Sequence, residues 1–264
     1  ADGTAIVGVG GPRTIANEIS IDHNPTFLGT DLTFTGNMTL TGNRTLRTMN
    51  AAQTVTFTGV ISEGIFGNST LTKEGQGTLV FTGANTYSGA TTINTNGGTL
   101  VLSGRDGSLL NSNAITIGTG ATLKLDNTGI NNNNTNRLND LVSVTNNGGK
   151  LHFVGNAGAD SREHIGIYHV SGNGTAEIRM ENTSLGSFES VLTAVQLGSY
   201  DSSRPARFVG VGQALSGTGK NRVEFRDSPP LTNGIVLQSI VVDAATNRVD
   251  FATIESTTFG VAIM

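Results

Sequence analysis

Residues 71–104 read LTKEGQGTLVFTGANTYSGATTINTNGGTLVLSG, and this stretch decides how the rest of the sequence is interpreted. The phrase at 77–83, GTLVFTG, returns at 98–104 as GTLVLSG. Each copy alternates apolar and hydroxyl residues with a period of two, which predicts a half-buried β-strand closed by glycine at both ends. Asn and Gly between the copies supply turns, because both accept positive φ at low cost. The stretch therefore predicts short strands joined by turns, with no helical period.

One apolar position recurs along the chain in the same strand context. A near-constant step between such positions is typical of a solenoid, in which each coil buries its inner face only against its neighbours. The longest step, from 125 to 153, contains the run 131–134 of four asparagines, which predicts a surface loop extruded from one coil. We predict a single inward-facing row, at steps of 21 to 28 residues, made of Phe34, Phe57, Phe81, Leu102, Leu125, Phe153 and Ile178.

The central stretch also resembles a known family, the autotransporter-associated β-strand repeat, which is also called the passenger-associated transport repeat. One departure is the extra pair Thr95-Asn96 before the glycines, which predicts an enlarged turn. The resemblance is carried by Leu71, Thr72, Lys73, Gly75, Gly77, Thr78, Leu79, Gly83, Asn85, Thr86, Tyr87, Gly89, Thr91, Gly97, Gly98, Thr99 and Leu100.

This resemblance implies an all-β fold, a right-handed parallel β-solenoid (β-helix), displayed outside a Gram-negative-type cell. At roughly 20–25 residues per coil, the chain would form roughly ten coils. We expect one elongated domain over residues 1–264, with regular coils over about 30–182 and a less regular part over 183–264. The resemblance implies an extracellular, secreted protein of the bacterial cell surface.

Composition excludes several classes of protein. The chain has 264 residues with no Cys, which excludes thiolate metal sites, cysteine nucleophiles and disulfides. A net charge of −4 provides no basic field for nucleic acid or anionic lipid. No apolar run is long enough to span a membrane. We therefore expect no nucleic-acid partner, no membrane insertion in this segment and no cofactor.

Two groups of charged residues are the candidates for catalysis. Asp126 and Asp140 flank the asparagine run, and the segment 158–166 (GADSREHIG) concentrates charge. Polysaccharide lyases and hydrolases built on β-helices need clustered acids in a groove. Charged residues in a glycine-flanked loop are more often a solvated turn between coils, which is the interpretation we favour. The charged residues of segment 158–166 are Asp160, Arg162, Glu163 and His164, and they form the second group.

Metal binding and sugar stacking have weaker support. Glu163, His164 and His169 lack the spacing of a zinc motif. With three Tyr and no Trp, the chain offers a poor aromatic platform for sugars. We expect no catalytic, cofactor-binding or metal-binding residues.

The sequence therefore favours a non-enzymatic structural or adhesive protein of the cell surface, a rigid solenoid segment or a fibre subunit. The last stretch, 259–264, is apolar and predicts contact with another coil. We expect end-to-end self-association or continuation into further repeats of a longer chain. Contact with a surface polysaccharide, a host cell or a neighbouring cell fits the same role. The alternative is a β-helix that binds or degrades polysaccharide.

Overall fold

The computed structural model describes residues 4–172, 174–182, 188–200, 206–212, 215, 221–227, 229, 231–232, 235–236, 240–243, 248–252, 254–257 and 260–263. These residues form strands and turns and no helix. In chain order the first strands are β1 (Ala5–Gly8), β2 (Arg13–Ile15), β3 (Ile19–Ile21), β4 (Thr26–Gly29), β5 (Leu32–Phe34), β6 (Met38–Leu40), β7 (Arg44–Thr48), β8 (Thr54–Phe57), β9 (Ile61–Glu63), β10 (Leu71–Glu74), β11 (Thr78–Phe81), β12 (Thr91–Ile93), β13 (Thr99–Leu102) and β14 (Ala114–Ile117). They are followed by β15 (Thr122–Asp126), β16 (Ser143–Asn146), β17 (Lys150–Val154), β18 (Ser161–Val170), β19 (Glu177–Glu181), β20 (Ser190–Tyr200), β21 (Arg207–Val211), β22 (Asn221–Phe225), β23 (Leu231–Thr232), β24 (Ile235–Val236), β25 (Ile240–Asp243), β26 (Arg248–Phe251), β27 (Ile254–Thr257) and β28 (Gly260–Ile263).

The strands stack into three faces that wind around one core. Face A has the order β1-β4-β7-β10-β12-β14-β16-β18-β20-β22, and face B the order β2-β5-β8-β11-β13-β15-β17-β19-β21-β25. Face C is the short sheet β3-β6-β9. Every pair in these three orders is parallel. Because neighbouring strands in these three orders are never consecutive along the chain, the chain must wind, and the predicted parallel β-solenoid is confirmed. The number of coils and the single domain stay predictions, since residues beyond 182 are described only in part.

The inward-facing row lies on face B. Phe34 pairs with Phe57, Phe57 with Phe81, Phe81 with Leu102, Leu102 with Leu125, and Leu125 with Phe153. All six side chains are buried. The faces of Phe34 and Phe57 stack with ring centroids 4.9 Å apart, and Phe81 meets Phe57 edge to face at 5.9 Å. Offset-stacked and edge-to-face pairs are the favoured arrangements of aromatic rings.

At the last member of the row, the strand register differs from the prediction. Ile178 is buried, but it pairs with Leu151, whereas the partner of Phe153 is Met180. The predicted register is therefore wrong by two residues at this coil. A shift of two keeps the same side chains on the same face, since side chains alternate with a period of two. The alternating pattern of 176–180 therefore fits either register equally well.

Two asparagine turns behave as predicted. The pair Thr95-Asn96 lies in an exposed turn, with Asn96 at a φ of 52° and the amide of Gly97 donating to the carbonyl of Asn94 at 2.7 Å. The run 131–134 lies in a loop between β15 and β16, and the side chain of Asn134 donates to the carbonyl of Arg105 in the preceding coil at 3.0 Å. The loop is thus hydrogen-bonded to the stack at its base.

Glycine is required where coils approach most closely. At Gly98 φ is +64°, and a Cβ atom there would lie 2.3 Å from the carbonyl oxygen of Gly77. Gly77 itself lies against the carbonyl of Asn50, and a Cβ atom at Gly77 would lie only 2.5 Å from that oxygen. Glycine therefore begins both copies of the GTLV phrase because any side chain would push successive coils apart.

The pairing changes beyond β22. On face B, β26 pairs antiparallel with β25, and on face A, β28 pairs antiparallel with both β22 and β27. Of the apolar stretch 259–264, residues 260–263 form β28, and Ile263 is buried. Phe259 and Met264 lie outside the described residues. The described part of this stretch is thus paired within the chain.

We predict that a charge is far more destabilising at the inward position that ends β11 than at the outward position that follows it. Phe81→Asp should lower the free energy of unfolding by more than about 3 kcal/mol, because it removes a buried ring and places a carboxylate in the core. Thr82→Asp, at the half-buried outward position next to it, should change the free energy by less than about 1 kcal/mol. Urea unfolding of both variants measures the difference. Equal midpoints would contradict the inward assignment of Phe81.

Candidate functional site

The polar residues of the central stretch point into the core. Lys73 is fully buried, and its ammonium donates to the carbonyls of Glu74 at 3.0 Å, Gly75 at 2.7 Å and Gly97 at 2.8 Å. Gly97 belongs to the next coil, so the lysine joins two turns. Burial lowers the pKa of Lys73 to about 8, while the nearby Glu74 carboxylate opposes that shift. The role of this lysine is therefore to satisfy turn carbonyls that no strand can reach.

Asparagine side chains connect coils at the turns. Asn85 accepts a hydrogen bond from the amide of Ile61 in one neighbouring coil at 2.9 Å and donates to the carbonyl of Ser108 in the other at 3.0 Å. Asn37 accepts from the amide of Val60 in the same way at 3.0 Å. Each of these bonds replaces a backbone bond that is lost where a strand ends. The asparagines at these turns are accordingly structural.

A chain of buried hydroxyl groups completes the repeat. The hydroxyl groups of Tyr87 and Thr91 lie 2.7 Å apart, and those of Thr91 and Ser112 lie 2.9 Å apart. Ser112 donates to the carbonyl of Gly89 at 2.8 Å. Burial raises the pKa of Tyr87, so its hydroxyl remains protonated and can act as a donor in this chain. The motif residues of the stretch thus build the interior of the solenoid.

The structure separates the charged cluster of segment 158–166. Side chains of β18 alternate across the sheet, so Arg162 and His164 point outward and Glu163 points into the core. Asp160 precedes the strand and accepts a hydrogen bond from the amide of Glu189 at 3.0 Å. The cluster therefore divides into an inner site and an outer site, rather than the solvated turn that we favoured.

The inner site joins Glu163 to Arg137, and both side chains are fully buried. The Glu163 carboxylate accepts hydrogen bonds from the backbone amides of Arg137 at 3.0 Å and Leu138 at 2.9 Å. Burial raises the pKa of Glu163 to about 8, although these donors and the Arg137 guanidinium favour the charged form. Sequence reasoning did not select Arg137.

The guanidinium of Arg137 anchors the asparagine loop. It donates to the side chain of Asn127 at 2.7 Å and to four carbonyl oxygens around the loop. Those carbonyls belong to Gly104, Gly107, Asp126 and Asn132, at 2.7 to 3.0 Å. Because its donors are all engaged by the protein, Arg137 has a structural role.

The outer site is a groove on face A where β18, β20 and β22 lie side by side. Its volume is about 490 Å³. The register places His164, Thr193 and Glu224 in one line across the three strands. The described lining residues are Arg162, His164, Thr193, Glu224 and Arg226, and we call this cavity the outer groove.

A network of ion pairs holds one end of the outer groove. Glu189 accepts from Arg162 at 3.0 Å and from both terminal nitrogens of Arg222 at 2.8 and 2.9 Å. Arg222 also donates to Glu224 at 2.9 Å. The hydrogen bond from Arg222 holds the pKa of Glu189 below its usual range. At the other end, Arg226 lies 3.2 Å from Nδ1 of His164.

The remaining candidates stay apart from the outer groove. Asp126 accepts from Lys124 at 2.6 Å and from the Thr128 hydroxyl at 2.6 Å, and these bonds lower its pKa although burial opposes them. Asp140 is exposed in a turn, and His169 is a half-buried outward residue of β18. Over the described ranges, no three His, Asp or Glu residues come together to form a possible metal site. Nor does that part of the chain contain a helix suited to crossing a membrane.

These features define a parallel β-solenoid with a polar structural motif inside one coil and a charged groove outside a later coil. Residues 71–102 match the model of the passenger-associated-transport-repeat family. The resemblance of the central stretch to that repeat is therefore confirmed, and this stretch supplies Lys73, Asn85 and Tyr87. The family implies a secreted or surface-exposed passenger-type β-helix. No curated protein and no solved structure matches the chain.

We predict that Lys73 stabilises the solenoid by satisfying turn carbonyls. Lys73→Met retains most of the side-chain volume but leaves three buried carbonyls without a donor, so it should lower the free energy of unfolding by about 2–5 kcal/mol. Lys150→Met changes a partly exposed lysine and serves as the matched control. Urea titration of both variants is the measurement. A Lys73→Met protein as stable as the Lys150→Met protein would refute the assignment.

A second prediction concerns the pH dependence of stability. Burial places the folded-state pKa of Glu163 at about 8, above the ordinary glutamate value of 4.5. The unfolded chain therefore binds fewer protons between these values, and the free energy of unfolding falls as pH rises through this window. The contribution of this residue reaches at most about 1.4 kcal/mol per pH unit.

Glu163→Gln should remove that contribution, whereas Glu18→Gln, at an exposed position, should retain it. Urea unfolding of the native chain and both variants at pH 5, 6, 7 and 8 gives the comparison. The assignment fails if the slope for Glu163→Gln between pH 5 and pH 8 equals that of the native chain.

Proposed function

We propose that the chain is a non-enzymatic structural and adhesive segment of a bacterial surface protein. The observation that carries the proposal is the continuous parallel stack, whose interior is filled by apolar rows and by the polar residues of a passenger-type repeat. Interstrand hydrogen bonds in such a stack run along its axis, so bending must stretch many of them together. The solenoid is in this view a stiff spacer that holds its outer face away from the cell.

We further propose that the first coil pairs with another coil, either of a second copy or of a longer chain. β1, β2 and β3 each lie at the edge of a sheet and pair on one side only within the described ranges. An unpaired edge is a template for another strand. Val7, which is 53% exposed on β1, adds an apolar contact at that edge. These features support pairing with a second copy as well as continuation into a longer chain.

Electron microscopy of the purified chain over a range of concentrations tests this proposal. We expect thin rods about 50 Å long, since roughly ten coils stack about 4.8 Å apart. Rods that join into fibres of constant width at high concentration would support end-to-end association. Rods that stay separate would favour continuation within a longer chain, and round particles would contradict the rod itself.

The non-enzymatic part of the proposal has its own test. The purified chain should release no reducing ends and no unsaturated sugars from neutral or acidic polysaccharides during prolonged incubation. Product formation that is lost in Glu224→Gln would instead support the polysaccharide-degrading alternative, since Glu224 is the carboxylate in the outer groove. Catalytic function would then replace the structural one.

A further inference from the structure

One guanidinium of the outer groove, that of Arg226, has no ion-pair partner among the described residues. Glu189 engages Arg162 and Arg222, and Arg222 in turn engages Glu224. Both of these carboxylates are thus paired with Arg162 or Arg222, and neither pairs with Arg226. Within the described part of the chain, Arg226 forms no ion pair, and its side chain makes a polar contact with His164. The unpaired positive charge of the groove is accordingly that of Arg226.

The contact between Arg226 and His164 determines where the imidazole carries its proton. A guanidinium only donates hydrogen bonds, so Nδ1 of His164 must accept. The neutral ring then carries its proton on Nε2, which leaves that N–H to donate to another group. Arg226 has further N–H groups in its planar fork besides the one directed at His164. This end of the groove therefore offers several donors in one place.

The groove also contains an acceptor. Glu224 is buried, and its Oε1 accepts from Arg222 at 2.9 Å. Among the described residues, its Oε2 has one longer contact, of 3.4 Å, with the hydroxyl of Thr193. A carboxylate oxygen has lone pairs for more than one donor, so Oε2 can accept from a ligand hydroxyl. A phosphate dianion brings extra negative charge toward this carboxylate and is disfavoured.

We propose that the outer groove binds an acidic sugar, the uronate unit of an anionic polysaccharide. The sugar carboxylate would pair with the fork of Arg226, and a ring hydroxyl would donate to Glu224. A planar fork matches a carboxylate with two parallel hydrogen bonds. A volume of about 490 Å³ lies within the usual range for small-ligand sites. One unit of positive charge together with a hydroxyl acceptor fits a monoanionic, hydroxyl-rich ligand.

The position of the groove suits a polymer. It opens on the outer surface of a sheet, where a long chain can pass across the strands without entering the core. The strands here are also longer than elsewhere, with β18 and β20 spanning 10 and 11 residues against three to five in the regular coils. This inference rests on the proposed function, because it supplies an adhesive surface with a ligand class. Electron microscopy tests the proposed function, and binding measurements test the ligand class of the outer groove separately.

Isothermal titration calorimetry of the full chain tests the proposal with three probes. The first is a trisaccharide of β-1,4-linked glucuronate, the second is cellotriose, its neutral counterpart, and the third is inorganic phosphate. We expect the uronate to bind at least about tenfold more tightly than either other probe, because only it satisfies both Arg226 and Glu224. Equal affinity for the uronate and cellotriose, or tighter binding of phosphate, would overturn the proposal.

Variants locate the site. Arg226→Gln removes the unpaired charge and should weaken uronate binding about tenfold or more. Arg105→Gln removes an arginine that is 83% exposed in a distant turn and should leave the affinity within about twofold. Circular dichroism and urea unfolding establish that both variants fold. If Arg226→Gln and Arg105→Gln bind the uronate equally well, the groove is not the binding site, whatever the rods show in the microscope.

Discussion

The backbone hydrogen bonds between successive coils are the constraint on which the rest of this structure depends. A strand of three to five residues cannot satisfy its own N–H and C=O groups, so each coil needs the coils on either side. The pairing of Thr78–Phe81 with Thr99–Leu102 holds only if the chain returns to the same position around the axis, one strand spacing further along it, after each coil. The intervening turns therefore have to be compact, and glycine at 77 and 98 allows the backbones to approach closely enough.

Parallel coils leave polar groups inside the solenoid wherever a strand ends, and this explains the polar residues of the core. Turn carbonyls near Gly75 and Gly97 point inward and receive the ammonium of Lys73. In the larger loop of a later coil, Arg137 serves the same purpose with a longer side chain and more donors. Glu163 instead accepts hydrogen bonds from two buried backbone amides. These polar residues are retained because the turns would otherwise leave buried backbone groups unsatisfied, which costs more than burying a hydrogen-bonded side chain.

Sequence reasoning could predict the solenoid because its signal is local and repeated. The spacing between successive members of the row, from Phe34 to Phe153, predicts both the length of each coil and the register between neighbouring strands. The same reasoning was wrong at Ile178, since alternation alone cannot exclude a shift of two residues. It could in principle have separated Glu163 from Arg162 and His164, because alternation along one strand is enough. The contact of Arg226 with His164, 62 residues away, depends on which strands become neighbours after irregular turns, and no local pattern contains that information.

The molecule thereby separates stability from recognition along its axis. In the regular coils, nearly every inward position is committed to packing or to turn carbonyls, and the outward positions of face B from β5 to β13 are threonine or valine. β18 and β20 lengthen to 10 and 11 residues, and the added outward positions of β18 carry Arg162 and His164. Such residues can change without altering the inward row, because side chains on opposite faces of a strand share no contacts. A solenoid can therefore acquire a ligand site on a late coil at little cost to the stack, and the outer groove lies where this reasoning places such a site.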